Sequence, residues 1–296
     1  MRCLALIVTC NRKGKLVTCL DAIRRQTVAC DALVVDNAST DGTEEAVRSF
    51  SGLNVIYSNT GGNLGGAGGF AFGMRRALEL GYEGLWLMDD DVRPDPHALE
   101  NLLAAANRRQ GEFGWLSSRC LLPGGTVCPM NLQRSSPFSA INPGDLDGND
   151  PVRVQMASFV SLFLTTETVR RFGLPISEFF IWSDDLEYTR RISRNLPCYA
   201  IPRSTVVHDI AGSAASNVAV DIPERISRYF YAFRNEFFVY RREGLRGIAY
   251  YLAKVGYNLL RIVLKSQDRR LARTKAVLSG FLAGLVFRPA IPCLIR

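Results

Sequence analysis

Residues 85–91 read Leu-Trp-Leu-Met-Asp-Asp-Asp, an apolar run that closes on three adjacent carboxylates. Such a run, apolar at every position, suits a strand covered on both faces. Like charges a few ångströms apart repel, and removal from water adds to the cost. A chain tolerates the cluster when a cation neutralises it, and hard oxygen ligands of this kind suit Mg²⁺ or Mn²⁺. Side chains alternate along a strand, so Asp89 and Asp91 are expected on one side and Asp90 on the other. The end of a strand is also where α/β sheets place ligands. The alternative at this point is a solvated acidic turn, which Pro94 and Pro96 would favour.

The preceding residues fit such a sheet. Residues 4–9 and 32–35 read as buried strands, 53–57 as a third, and 15–26 as a helix with Leu16, Leu20 and Ile23 on one face. A polar loop at 36–43 leads to a helix near Glu44. This order implies a parallel sheet with right-handed crossovers. Residues 63–70, Asn-Leu-Gly-Gly-Ala-Gly-Gly-Phe, read as a glycine-rich loop before a helix at 71–80. Glycines let backbone amides approach an anion, and a helix N-terminus favours one. The same glycines could serve only a tight turn. No Gly-Lys-Ser/Thr follows, so it is not a Walker A loop, and the acidic residue of a dinucleotide fold is missing.

Further along, 96–108 is expected helical, 111–122 to contain a strand, and 123–150 to form an irregular insertion on the acceptor side. Strand-like material at 152–165 precedes a short helix at 166–172 that Gly173 ends. Residues 179–192 carry aromatics and then Asp184-Asp185 at a helix start. Acids there complement the helix dipole, and a general base is the rival role. A strand at 196–207 ends at His208, placed either as a structural residue or as a ligand.

At 296 residues, 47% hydrophobic and 22% charged, the chain can hold one large α/β domain with an appendage. Residues 224–296 carry 15 Lys+Arg against 4 Asp+Glu, whereas the remainder is slightly acidic. A basic tail suggests an anionic membrane surface or nucleic acid. Residues 245–265 are amphipathic and 276–287 apolar, too short to span a bilayer. They suit either an interfacial helix or a helical subdomain packed on the core. The N-terminus is not expected to act as a signal peptide. The eight cysteines include no Cys-x-x-Cys pair, which argues against zinc and for reduced thiols.

Four motifs fall in order. Leu6-Ile7-Val8-Thr9-Cys10-Asn11-Arg12 looks like an opening strand, followed by Val34-Val35-Asp36-Asn37-Ala38-Ser39-Thr40-Asp41-Gly42-Thr43, Asp89-Asp90-Asp91 and Trp182-Ser183-Asp184-Asp185. Over 4–209 the chain resembles the inverting glycosyltransferases of family 2, which have the GT-A fold. The glycine-rich stretch, the triple Asp and the Phe-Ile-Trp-x-Asp-Asp-x-Glu-Tyr pattern are most similar to bacterial galactofuranosyltransferases and rhamnosyltransferases, with galactofuranosyl favoured. Ser183 departs from relatives in which the Trp directly precedes the acids.

The resemblance implies a GT-A domain at 1–215 and a basic, amphipathic helical region at 216–296. It implies that Thr9, Asn11, Arg12, Asp36, Asn63, Gly65, Gly66, Asp89 and Asp90 bind the nucleotide-sugar donor. Asp89, Asp91 and His208 would hold Mn²⁺ or Mg²⁺, and Trp182 would face the acceptor. Asp185, with Asp184 as rival, would act as the base of an inverting displacement. The implied acceptor is a lipid-linked or polymeric saccharide of the cell envelope that receives one or few sugars. The implied location is peripheral, on the cytoplasmic face of an anionic membrane. A nucleotidyltransferase fits the second and fourth motifs poorly, and a silent glycan- or membrane-binding module has no need of every acid. The tail is too apolar for a nucleic-acid arm.

Overall fold

Cys3–Thr9 (β1) is buried along its whole length because different layers cover its two faces. Cys3, Ala5 and Ile7 pack with Leu16, Leu20 and Ile23 of a helix at Lys13–Arg24 (α1). Leu4, Leu6 and Val8 pack with Phe70, Met74 and Ala77 in the opposite layer. Two covered faces are why this strand reads as an unbroken apolar run. The computed structural model describes residues 1–210 and 216–293.

Asp31–Asp36 (β2), Thr43–Arg48 (α2), Val55–Asn59 (β3), Gly65–Glu79 (α3) and Gly84–Asp89 (β4) continue the alternation. The strands pair in the order β3-β2-β1-β4, all parallel. β2 and β3 build outward on one side of β1, and β4 joins on the other. A crevice opens beyond the carboxyl ends of the strands at such a switch point. Thr9 ends β1 there, and Asp89 ends β4.

Val92–Pro94 (β5), Ala98–Arg108 (α4) and Leu116–Leu121 (β6) follow. The insertion holds a small hairpin, Arg134–Ser136 (β7) with Ser139–Ala140 (β8). Val152–Val154 (β9) and Leu162–Thr165 (β10) divide the single strand expected at 152–165. Between them Ser161 takes a left-handed φ of 61° and accepts a hydrogen bond from Trp86 Nε1 at 2.8 Å. Thr166–Phe172 (α5), Asp184–Ser193 (α6) and Cys198–His208 (β11) follow. β10 runs antiparallel between β4 and β6, β11 runs parallel to β6, and β5 and β9 flank β11 antiparallel. The result is the expected α/β class, with a mostly parallel centre.

Arg228–Arg241 (α7), Gly244–Lys265 (α8) and Arg270–Val286 (α9) form the basic end of the chain. Phe233 and Phe237 of α7 meet Tyr251 of α8 and Val277 of α9 in one apolar cluster. Phe238 and Val239 of α7 join Ala67 and Phe179 in another. These helices therefore pack on the α/β core. Among the described residues, no helix is long and apolar enough to cross a membrane.

The glycine-rich stretch departs from expectation. It is no loop: α3 begins at Gly65, six residues before the expected start. Glycine disfavours helix, which is why the sequence reads as a loop. Packing reverses that preference. A Cβ on Gly68 would strike Leu64, one on Gly69 would strike Val8, and one on Gly73 would strike Leu6 and Val35. The glycines let α3 lie close to the sheet.

Candidate active site

Asp89, at the end of β4, is followed by a tight turn through Asp90 and Asp91 into β5. The antiparallel register sets His208 opposite Val92, and the Asp209 N–H donates to the Asp91 carbonyl at 2.8 Å. This three-residue strand, too short to be read from the sequence, is what carries His208 to the acids. One ligand atom each from Asp89, Asp91 and His208 lies within 4.8 Å of the others. Asp90 points elsewhere, as expected. It accepts from Thr9 Oγ1 at 2.8 Å and from Arg12 Nη1 at 2.9 Å. Arg12 Nη2 donates to Asp91 Oδ2 at 2.9 Å, so one guanidinium spans two of the three acids.

The electrostatics show what the cluster lacks. Burial and the neighbouring Asp91 push the Asp89 carboxyl up to about 7. Burial also lifts Asp90 to about 6, against the pull of Arg12 and Thr9. For Asp91, burial acts upward, but His208 and Arg12 outweigh it and hold the carboxyl below its usual range. Burial acts to lower His208, yet Asp91 and the other nearby acceptors raise it to about 10. Asp91 Oδ1 is buried with no hydrogen-bond partner and stands 3.1 Å from His208 Nε2. An orphaned carboxylate oxygen, a second carboxylate and an imidazole nitrogen facing one point are a donor set that fits Mn²⁺ or Mg²⁺.

His208 is held from behind. Its Nδ1 donates to Asn131 Oδ1 at 2.8 Å, which leaves Nε2 directed at Asp91. Asn131 Nδ2 donates in turn to Ser158 Oγ at 3.0 Å, fixing the amide. The same Asn131 oxygen accepts from Cys128 Sγ at 3.0 Å and from Cys120 Sγ at 3.6 Å. Cys120 and Cys128 face each other across a hairpin closed by the Leu121–Val127 bridge. Sequence spacing kept these cysteines apart from any histidine; the fold groups both with His208 around one amide oxygen. The first part of the insertion thus packs behind the acid cluster, with Asn131 and Gln133 buried.

The donor-side candidates divide into two groups. Thr9 and Asp36 are buried and already engaged. The Asp36 carboxylate accepts from the Ser39 N–H at 2.9 Å and from the Tyr57 hydroxyl at 2.7 Å. Burial and this contact raise the Tyr57 phenol to about 12. Asn11 and Asn63 lie at the surface. Asn11 accepts from the Thr40 N–H at 2.7 Å, and Asn63 accepts from the Gly65 N–H at 2.9 Å at the start of α3. Gly66 is half-buried beside Gly65. Asn37, which the sequence reading passed over, links both groups by donating from Nδ2 to the Gly65 carbonyl at 3.0 Å.

The second acidic patch belongs to the same electrostatic unit. Asp184 and Asp185 open α6, as their helix-start pattern implied, and both feel or exert repulsion with Asp89. Burial raises Asp184 well above the usual carboxyl range, and repulsion from Asp185 adds to it. Burial lifts Asp185 to about 6. Trp182 sits edge-on to Tyr229 of α7, with ring centroids 5.0 Å apart.

The glycosyl transferase family 2 model matches residues 5–116. Galactofuranosyltransferase GlfT1 of Mycolicibacterium smegmatis is 28% identical over 253 residues, 82% of this chain and 84% of that protein. The undecaprenyl-phosphate mannosyltransferase of Micrococcus luteus is 37% identical over 109 residues, 36% of this chain and 44% of that protein. Mannosyltransferase PcManGT from Pyrobaculum calidifontis, solved in complex with GDP-Man and Mn²⁺, aligns at a TM-score of 0.62 with 16% identity. The alignment covers 96% of this chain and 87% of that one, and shows a shared GT-A fold.

Proposed function

We propose that this chain is a family 2 glycosyltransferase that transfers galactofuranose from a nucleotide-diphosphate donor to a saccharide acceptor, with inversion. The observation that carries this reading is the meeting of Asp89, Asp91 and His208 with the Asp184–Asp185 pair at the β1–β4 switch point. The galactofuranosyltransferase relative, matched over most of both chains, supports the sugar. The mannosyltransferase match over about a third of the chain favours a pyranosyl donor as the second reading. Rhamnosyl transfer has no comparable support.

Asp89, Asp91 and His208 would hold the divalent cation. When bound, the cation supplies positive charge that offsets the departing diphosphate. Arg12 holds Asp91 through Oδ2 while its other nitrogen engages Asp90 outside that cluster. Asn11, Asn63, Gly65 and Gly66 line the donor side, while Thr9, Asp36 and Asp90 shape that wall from within. Asp185 takes the proton of the acceptor hydroxyl, because a base must be ionised at the working pH. Burial raises both carboxyls, Asp184 further than Asp185, which favours Asp185 as the base. Trp182 stands on the acceptor side of the pair.

A lipid-linked acceptor fits the basic end of the chain. Leu245, Leu252, Leu260, Val263 and Leu264 of α8 are exposed, and the surrounding residues are rich in Arg and Lys. An anionic membrane surface, on the cytoplasmic side, would accept both features. The intact chain is expected to float with vesicles containing phosphatidylglycerol and not with phosphatidylcholine vesicles. Failure to float with either would remove the membrane from the account.

The function itself is tested by incubating the protein with UDP-galactofuranose, dTDP-rhamnose, GDP-mannose or UDP-galactopyranose, each with Mn²⁺ and with EDTA. Hydrolysis or transfer is expected from UDP-galactofuranose alone, and EDTA is expected to abolish it. Turnover of another donor in its place would reassign the sugar. Turnover that survives EDTA would remove the metal.

A further inference from the structure

The segment leading into Asp184 is strained. Phe180, Trp182 and Ser183 have φ values of 62°, 65° and 66°, left-handed backbone that favours glycine. Such conformations persist only where the surroundings impose them. Here the constraint comes largely from α7. Asn235 is fully buried, and its side-chain amide donates to the carbonyls of Phe179 at 2.9 Å, Ile181 at 3.1 Å and Trp182 at 2.9 Å. Its Oδ1 accepts from Arg234 Nε at 3.0 Å, which fixes the end of the amide that faces the segment. Arg234 also donates to the Glu178 carbonyl at 2.5 Å.

From the other side, the Ala67 N–H at the start of α3 donates to the Phe180 carbonyl at 3.2 Å. Gly65 leaves space for that same carbonyl, because a Cβ there would overlap it. Every main-chain carbonyl from Glu178 to Trp182 is therefore taken by a group outside the turn. α6 is tied to the end of α7 as well. Arg190 donates to Glu243 at 2.8 and 2.9 Å, and Arg242 donates to Glu187 at 3.0 Å.

We propose that Asn235 is a positioning residue, and that through it the C-terminal helices set the place of the Asp184–Asp185 pair against the Asp89–Asp91–His208 cluster. The three carbonyls that it gathers lie within six residues of both acids. Asn235 alone contacts three of the five carbonyls from Glu178 to Trp182. The catalytic half of the proposal rests on the reading of this pair as the base; the structural half does not.

Asn235→Leu keeps the branched shape of the side chain, at a larger volume, and removes the donor. In the full-length variant, amide hydrogen exchange is expected to accelerate across 179–187 while β1 and β4 keep their protection. With UDP-galactofuranose and Mn²⁺, kcat is expected to fall about 100-fold, the cost of misplacing a reacting group by about an ångström. The donor KM is expected to stay within about threefold, because the donor-side wall is untouched. Asn235→Ser, smaller and with one donor left, serves if the first variant does not fold, with a loss of about tenfold. Unchanged exchange at 179–187 would overturn the proposal. Equal acceleration in the sheet would also overturn it, since Asn235 would then be merely structural. Full turnover in both Asp184→Asn and Asp185→Asn would overturn the catalytic half, while the exchange result still decided whether Asn235 holds the segment.

Discussion

Asp91→Asn is expected to lower metal-dependent turnover at least about a thousandfold, the equivalent of several kcal/mol of lost charge stabilisation. Asp91 is the pivot of the acid cluster. Its Oδ2 is fixed by Arg12 at 2.9 Å, and its buried Oδ1 has no hydrogen bond and faces His208 Nε2. An amide there removes the negative charge, so the cation loses one of its two carboxylates. Asp90→Asn is the control. Its carboxylate is spent on Thr9 and Arg12 and lies outside the ligand cluster, so its effect should be indirect, about tenfold. Turnover of UDP-galactofuranose at saturating Mn²⁺ by the two purified variants checks the contrast. Equal losses would mean that the turn as a whole matters and not the ligand set.

Asp185→Asn is expected to reduce kcat by about 10²- to 10⁴-fold, the range for a lost general base. The pH profile gives a second reading. Burial raises the Asp185 carboxyl to about 6, so its ionised form is lost as pH falls through that value. In the parent protein kcat should therefore drop below about pH 6. The residual rate of Asp185→Asn should show no such limb. Burial and the neighbouring Asp185 hold the Asp184 carboxyl well above the usual range, which favours its neutral form. Asn at 184 resembles that neutral form and should keep most of the turnover. The opposite pattern, with Asp184→Asn inactive and Asp185→Asn active, would exchange the two roles.

The parts of this site that the sequence disclosed are those encoded in local pattern. The apolar runs of β1, β2 and β4 follow from sheets covered on both faces, and the acids at 89–91 and 184–185 announce themselves by their cost. From the residues alone His208 was legible as the end of a strand, and its part as a ligand came from the family resemblance. Its meeting with Asp91 depends on the register of β5, and three residues carry no periodic signal. The glycine-rich stretch misled because propensity speaks for a loop, whereas contacts with Val8, Leu6 and Val35, distant in sequence, make it a helix. Asn131 lay in an insertion rich in turn residues, and nothing local shows that one amide gathers Cys120, Cys128 and His208. Asn235 was hidden differently. It sits in an aromatic, basic helix whose composition speaks of surfaces, yet it is buried against the strained turn before Asp184 and Asp185. Long-range hydrogen bonds from single polar residues leave no trace in composition or periodicity.

The account stands on one cation held by Asp89, Asp91 and His208, and the most direct test is a Mn²⁺ titration of the intact protein in the presence of UDP, followed by electron paramagnetic resonance. The account predicts one tightly bound Mn²⁺ per chain, displaced by excess Mg²⁺, with affinity at least about tenfold weaker in His208→Ala and in Asp91→Asn. Binding that neither substitution alters, or no bound Mn²⁺ in the parent protein, would contradict it.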